Sequence, residues 1–380
     1  MKLNQYGKQQ IDQQDIDAVT NVLKSDFLTT GPLIDEFEEA FAKYIGCKYA
    51  IALANGTAAL ELAVQSLQLP KGSEIITTPF TFMADTNCIL YNNCQPVYAD
   101  INPKTGNIDP EDIERKITSK TKAIITVDFG GLPCQNNKIK KIAEEHNLIW
   151  IEDGAHAIGG DFEDKKIGAI ADLTMFSLHP VKTMTCGEGG IITTNNLAFA
   201  ERIKILRNHG MVKGITKRYG EEAFYEYDAV MLGRNYRLTA IQAALGLSQL
   251  RKLDKFIDKR RLLVNEYNKQ LKEVEGIELP LDNINPNIRY SFHLYYIFLK
   301  NQNKNKFLSK MKDKGIGVHS MYIPTYNFTY HQNLLHVDKK DYPNTESVFE
   351  KIVILPLFPD MDENDVRCVV KSVKESLAYK

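Results

Sequence analysis

The sequence predicts an α/β protein: a mostly parallel, seven-stranded sheet covered by helices, with a smaller C-terminal α+β domain behind it. Three observations predict it. Short runs rich in Ile, Val and Thr alternate with amphipathic stretches through the first half of the chain. Several of these runs are apolar on both faces, as in a sheet buried under helices. Strand and helix signals that alternate in this way belong to parallel sheets with helical crossovers.

The elements follow in order. Residues 11–45 read as helical pieces broken by the turn "TTGP". The strand candidates are "YAIALA", "EIITTP", "PVYADI", "KAIITVDF", "LIWIED", "LTMFSL" and "GGIITTN". Between them lie the helix signals "GTAALELAVQSL", "DPEDIERKI" and "NNKIKKIAEEH". After Arg237 a periodic, proline-free stretch reads as one or two helices leading out of a large unit at residues 1–250. The rest, 251–380, reads as strands "YSFHLYYIFL", "GIGVHSMY" and "KIVILPLF" with helices "NKFLSKMKDK" and "ENDVRCVVKSVKESL". A chain of 380 residues exceeds one compact core, which fits two domains.

Composition removes several function classes. With 47 basic and 48 acidic residues the net charge is −1, without the positive excess that nucleic acids or anionic membrane surfaces demand. The N-terminus is polar and no apolar run approaches the roughly 18 residues of a membrane span. Six scattered cysteines form no CxxC, so the expectation is a reduced, cytoplasmic protein. Eight histidines show no HExxH spacing, so no metal site is expected.

Three segments carry chemistry, and open α/β sheets bind ligands beyond the carboxyl ends of their strands. In "ANGTAAL" a strand ends and a helix begins, so Thr57 and the free N–H groups of the first turn can cradle an anion. The plain alternative is a threonine N-cap with no ligand. In "LIWIEDGAHA", Asp153 closes a buried strand, where a carboxylate needs a partner. It is a helix cap or the partner of a cationic ligand atom. In "SLHPVKTMTCGEGG", Lys182 leaves a buried strand and precedes Gly187, Gly189 and Gly190, a return tight enough for a ligand or a second backbone to approach. A desolvated lysine has a lowered pKa and can form a Schiff base with an aldehyde. Anion cradle, carboxylate and amine together describe a site for pyridoxal 5'-phosphate.

These motifs, with "GRNYRLTAIQAALG", resemble the nucleotide-sugar aminotransferases of the DegT/DnrJ/EryC1 family over residues 5–375. The resemblance implies the fold type I aminotransferase architecture with pyridoxal 5'-phosphate as cofactor and pyridoxamine 5'-phosphate as its intermediate form. It implies that Lys182 holds the cofactor and moves protons, that Asp153 pairs with the pyridine nitrogen and that His156 lies beside the cofactor. It also implies that Phe82 stacks on the ring and that Gly56, Thr57 and Ser177 contact the phosphate. Asn235 matches the asparagine that reaches the cofactor of a neighbouring subunit, which implies a homodimer with shared active sites. "VDFGGLPC" and "GIGVHSMYIPTY" look like the C4 transaminases of pseudaminic acid biosynthesis, which act on a UDP-linked 4-keto-6-deoxy-N-acetylhexosamine with L-glutamate as donor. Tyr6, the loop Asp26, Phe27, Leu28 and Thr29, and Ser320, Met321, Tyr322 and Ile323 match segments near the sugar in that group. Transaminases of the perosamine, bacillosamine and aminoarabinose type share most of the pattern. Three rivals are weaker. A sugar dehydratase of the same fold would carry histidine in place of Lys182. A DNA-binding regulator would need a basic face. An enzyme of free amino acids would need an arginine clamp, for which Arg234, Arg237 and Arg289 are candidates.

Overall fold

The computed structural model describes residues 3–213, 227–280 and 288–377. Seven strands form the large sheet: β1 (Tyr49–Leu53), β2 (Glu74–Thr77), β3 (Gln95–Tyr98), β4 (Thr121–Val127), β5 (Ile149–Asp153), and the strands Leu173–Ser177 and Gly190–Thr194. Their order in space is β1, 190–194, 173–177, β5, β4, β2, β3. All seven runs read from the sequence are in it. Pairing is parallel throughout except at the strand Gly190–Thr194, which runs antiparallel to both neighbours. The cause is the loop that carries Lys182. It holds no crossover helix, and a chain that returns directly must pair antiparallel.

Both faces of the sheet are buried, and adjacent residues on one strand enter different cores. On β4, Ala123 and Ile125 pack into one core and Ile124 into the other; on β5, Ile151 and Trp150 divide in the same way. Each isoleucine buried in this way is worth roughly 1.5–3 kcal/mol relative to exposure. Helices α1 (Gln13–Leu23), α2 (Pro32–Ile45), α3 (Gly56–Ser66) and α4 (Met83–Tyr91) precede or flank these strands. The N-cap of α3 is Asn55, whose Oδ1 accepts from Ala58 N at 2.8 Å, so Thr57 is not the cap.

The periodic stretch after Arg237 forms two helices, Ala240–Leu250 and Leu253–Leu271, the first opened by a capping box of Thr239 and Gln242. The second helix runs between two cores: Leu253 and Ile257 pack with the large sheet, while Leu263, Val264, Tyr267 and Leu271 pack with the C-terminal elements. Those elements include a three-stranded antiparallel sheet in the order Ile277–Glu278, Tyr295–Leu299, Ile352–Leu355. The expected strand "GIGVHSMY" is absent from it. Ile316 and Val318 are buried in alternation, as a strand would require, but only His319 meets the sheet, bridging to Ile354. The next residues turn away and face the cavity described below.

Candidate active site

The carboxyl ends of β1, β5 and the strand Leu173–Ser177 open on a cavity of about 990 Å³. Its floor holds Asp153 and Lys182, and its walls include Gly56, Thr57, Phe82, His156, Ser177, Tyr6, Ser320, Met321, Tyr322 and Ile323. Most of the residues singled out in the sequence therefore converge. Asn235, Asp26, Phe27, Leu28 and Thr29 do not line the cavity of their own chain. Arg234 and Tyr236 do line it; successive residues of an extended segment alternate in direction, and Asn235 lies between them. Phe27 and Leu28 are exposed.

The glycine-rich return has a specific geometry. Leu178 N donates to Gly189 O at 2.8 Å and Cys186 N to Leu178 O at 3.0 Å, which closes the loop around Lys182. Gly187 turns it with φ +81°, in the left-handed region. Gly190 has another reason to be glycine: a Cβ there would meet Asn55 O at 2.3 Å. A Cβ on Gly56 would in turn meet Ser177 Cβ at 3.0 Å. Glycines thus let the N-terminus of α3 sit against the strands that flank the lysine loop. Asn55 takes the N–H of Ala58, and the first-turn N–H groups of Gly56 and Thr57 have no acceptor one turn back within the helix. They give the cavity an anion-binding corner.

Charge on the floor is sparsely compensated. Burial pulls the Lys182 amine down to about 8, with Asp153 and Asp85 as the opposing carboxylates. Burial raises Asp153; the N–H of Ala155, given to its Oδ1 at 2.8 Å, and Lys182 act against that rise. Gly130 N donates to His156 Nδ1 at 3.2 Å, so the neutral ring carries its proton on Nε2 and gives it to the Tyr322 hydroxyl at 2.9 Å. Burial, then Lys182, holds His156 well below its ordinary value, which keeps the ring neutral.

Of the three candidate clamps only Arg234 lines the cavity, where its Nε donates to Glu61 at 3.0 Å and Tyr236 OH donates to the same carboxylate at 2.8 Å. Arg237 is bound to Asn208 and Arg289 to Asp254. Two features escaped the sequence reading. The stretch "FTFMADTN", which contains Phe82, also carries the fully buried Asp85, and "SFHL" carries His293, whose ring lies 4.3 Å from that of His156. A charged residue inside an apolar helix was the available signal for Asp85. Among the described residues no cluster of potential ligands could hold a metal ion, and no helix is long and apolar enough to cross a membrane.

The sequence profile of the DegT/DnrJ/EryC1/StrS aminotransferase family matches residues 9–374. An uncharacterized protein of Methanocaldococcus jannaschii, MJ1066, is 40% identical over 96% of this chain and 95% of its own. The UDP-4-amino-4,6-dideoxy-N-acetyl-beta-L-altrosamine transaminase of Campylobacter jejuni is 36% identical over 96% of this chain and 95% of its own. Among solved structures, Helicobacter pylori PseC, an aminotransferase of pseudaminic acid biosynthesis, superposes with a TM-score of 0.92 at 31% identity over 98% of both chains. The Streptococcus pneumoniae protein Spr1654 in its PMP form gives 0.93 at 28% identity over 98% of both.

Proposed function

The chain belongs to the DegT/DnrJ/EryC1/StrS aminotransferase family, and from that premise we propose that it moves the amino group of L-glutamate to the C4 ketone of a UDP-linked 4-keto-6-deoxy-N-acetylhexosamine, using pyridoxal 5'-phosphate. The observation that carries the chemistry is one cavity floor on which a lysine amine near 8 faces a buried carboxylate, beside a helix N-terminus whose Gly56 and Thr57 N–H groups have no acceptor within the helix. The sugar rests on the likeness to the Campylobacter transaminase and to PseC.

The residues fit the cofactor. The seam where a Cβ on Gly190 or Gly56 would intrude leaves backbone N–H groups for a phosphate. Asp153 is a buried carboxylate with no ion pair among the described residues, the partner a ring nitrogen would need. When bound, pyridoxal phosphate supplies an aldehyde that takes up the amino group and a ring that draws off electron density. In this reading Lys182 holds the cofactor, and its Nζ, with a pKa near working pH, accepts and returns the proton that moves during transfer. Gly56, Thr57 and Ser177 hold the phosphate, Asp153 keeps the ring nitrogen protonated, Phe82 covers the ring, and His156 stays neutral and directs its Nε2–H. Arg234 is placed to meet a donor carboxylate, and Tyr6 with residues 320–323 the sugar.

Asn235 and the loop Asp26–Thr29 turn from their own cavity, and we assign them to the partner's cavity in a homodimer. The division between the large and small domains lies near residue 250. Free cysteines suit a reducing, cytoplasmic setting.

The test offers glutamate, pyridoxal phosphate and a panel of UDP-, GDP- and dTDP-linked 4-keto sugars, with mass spectrometry to find the aminated product. A gain of amine on the UDP-linked N-acetyl sugar supports the assignment. Amination of a GDP- or dTDP-linked sugar alone moves the enzyme to a perosamine-like or related branch, and reversal only by simple 2-oxo acids refutes the sugar substrate. Mixed dimers of Lys182→Ala and Asn235→Ala chains should regain one intact site; no recovery in verified mixed dimers would return Asn235 to its own chain.

A further inference from the structure

Beneath Asp153 lies a second carboxyl that the reading above does not use. Asp85 sits in the first turn of α4 and is fully buried. Thr81 Oγ1 donates to its Oδ2 at 2.6 Å. No N–H or O–H group reaches its Oδ1, which has no exposure to solvent. The Asp153 carboxyl lies within hydrogen-bonding reach. The surrounding groups offer little to neutralise two negative charges. Cys88 stands one turn on along the same helix, Glu61 belongs to the packed helix α3, Tyr322 comes from the segment 320–323, and Lys182 is the nearby cation among the described residues.

Two carboxyls in contact, buried together, cannot both ionise without a large penalty. Asp153 has a backbone donor, the N–H of Ala155, and acts on Lys182 more strongly than Asp85 does; Asp85 has the Thr81 hydroxyl and its own backbone N–H. The shared proton therefore belongs on Asp85. Burial first, then the charge of Asp153, acts in that direction.

We propose that Asp85 stays protonated and donates a hydrogen bond to Asp153, so that it acts as a positioning residue that holds Asp153 ionised and aimed into the cavity. The cofactor role of this pair rests on the pyridoxal phosphate reading; the pair itself does not. Like an amide, a protonated Asp85 gives Asp153 a donor while adding no charge. The pairing thus fixes the orientation of the Asp153 carboxylate before any ligand arrives. No proton leaves the pair: it remains on Asp85 while Asp153 meets the ring nitrogen.

The test begins with the full chain free of cofactor. Difference infrared spectra at pH 7 between the wild type and Asp85→Asn should show one protonated carboxyl in the wild type. Asp153→Asn should move the titration of that carboxyl to lower pH, because the opposing charge is gone. Absence of a protonated carboxyl that depends on Asp85, or its persistence unshifted in Asp153→Asn, overturns the pairing. Binding of pyridoxal phosphate, followed by absorbance, should weaken about tenfold or more in Asp85→Leu, the scale on which outer partners of ligating groups act. Asp85→Asn, which keeps a donor, should recover most of that affinity. Equal losses in the asparagine and leucine variants overturn the positioning role. A wild type that shows the carboxyl but binds no pyridoxal phosphate overturns the cofactor reading and leaves the pair standing.

Discussion

Lys182 and Lys252 are both lysines withdrawn from solvent, and the molecule treats them in opposite ways. Lys252 begins the region where the two long helices meet, and its amine touches Asp15 at 2.6 Å and Asp12 at 2.9 Å. Gln249 adds a donor to the same Asp15 oxygen at 2.8 Å. Lys182, on the cavity floor, has Asp153 and Asp85 as charged neighbours but no direct ion pair among the described residues. A charge that serves the fold is given partners in contact. A charge kept for a ligand is left short of them, at a cost in stability that the surrounding core offsets.

The comparison breaks most visibly at Lys182. Lys182→Ala should cut turnover by about two to four orders of magnitude, the scale of a lost positioned acid–base group, with no compensation from any other lysine. Borohydride reduction of the loaded wild type followed by peptide mapping should mark Lys182; a mark on another lysine would reverse the assignment. Asp153→Asn comes next, with a loss of about two to three orders in kcat as the charge opposite the ring nitrogen disappears. Near-normal kcat with cofactor bound would reduce Asp153 to a loop-capping role. Lys252→Met is the converse experiment. Removing one member of a buried pair should lower the unfolding free energy by roughly 3 kcal/mol in urea titrations, while kcat stays near the wild-type value.

The last effect is linkage. Lys182 is held near 8 in the folded chain, against 10.5 for an ordinary lysine. Below about pH 8 both folded and unfolded states carry the proton, and the folded state bears the burial cost. Between about 8 and 10.5 the unfolded state alone retains it. Cofactor-free wild type should therefore gain stability relative to Lys182→Met as pH rises through that window. A flat difference in thermal unfolding would mean that Lys182 is solvated like any surface lysine.

How much of this was legible in the sequence follows from the range of the interactions. Asp153 and Lys182 were legible because each stands at the end of a strand whose composition marks it as buried, and strand ends define where such sheets bind ligands. Gly187 and Gly190 were legible as a tight return. That Gly190 abuts Asn55 was not, since the two are distant in sequence and the contact depends on how strands pair. Asp85 and the His156–Tyr322 bond are of the same kind: α4 meets β5, and a segment near residue 320 meets a loop near 156, only after folding. The "GIGVHSMY" segment misled because its alternation is real but is satisfied by packing at one sheet edge rather than by pairing.

The contact between Gly190 and the Asn55 carbonyl has a consequence for how this protein can change. Any side chain at 190 would wedge the amine-bearing loop away from the anion corner, so the two cannot drift apart independently. Residues 320–323 and Phe82 reach the cavity from separate elements and meet through side chains, the rings of Phe82 and Tyr322 at 6.4 Å, rather than through a backbone seam. Diversification, natural or in the laboratory, has its freedom in those walls. A library confined to residues 320–323 should yield altered sugar preference among folded, cofactor-competent variants, whereas substitutions along the glycine seam should mostly forfeit the chemistry altogether.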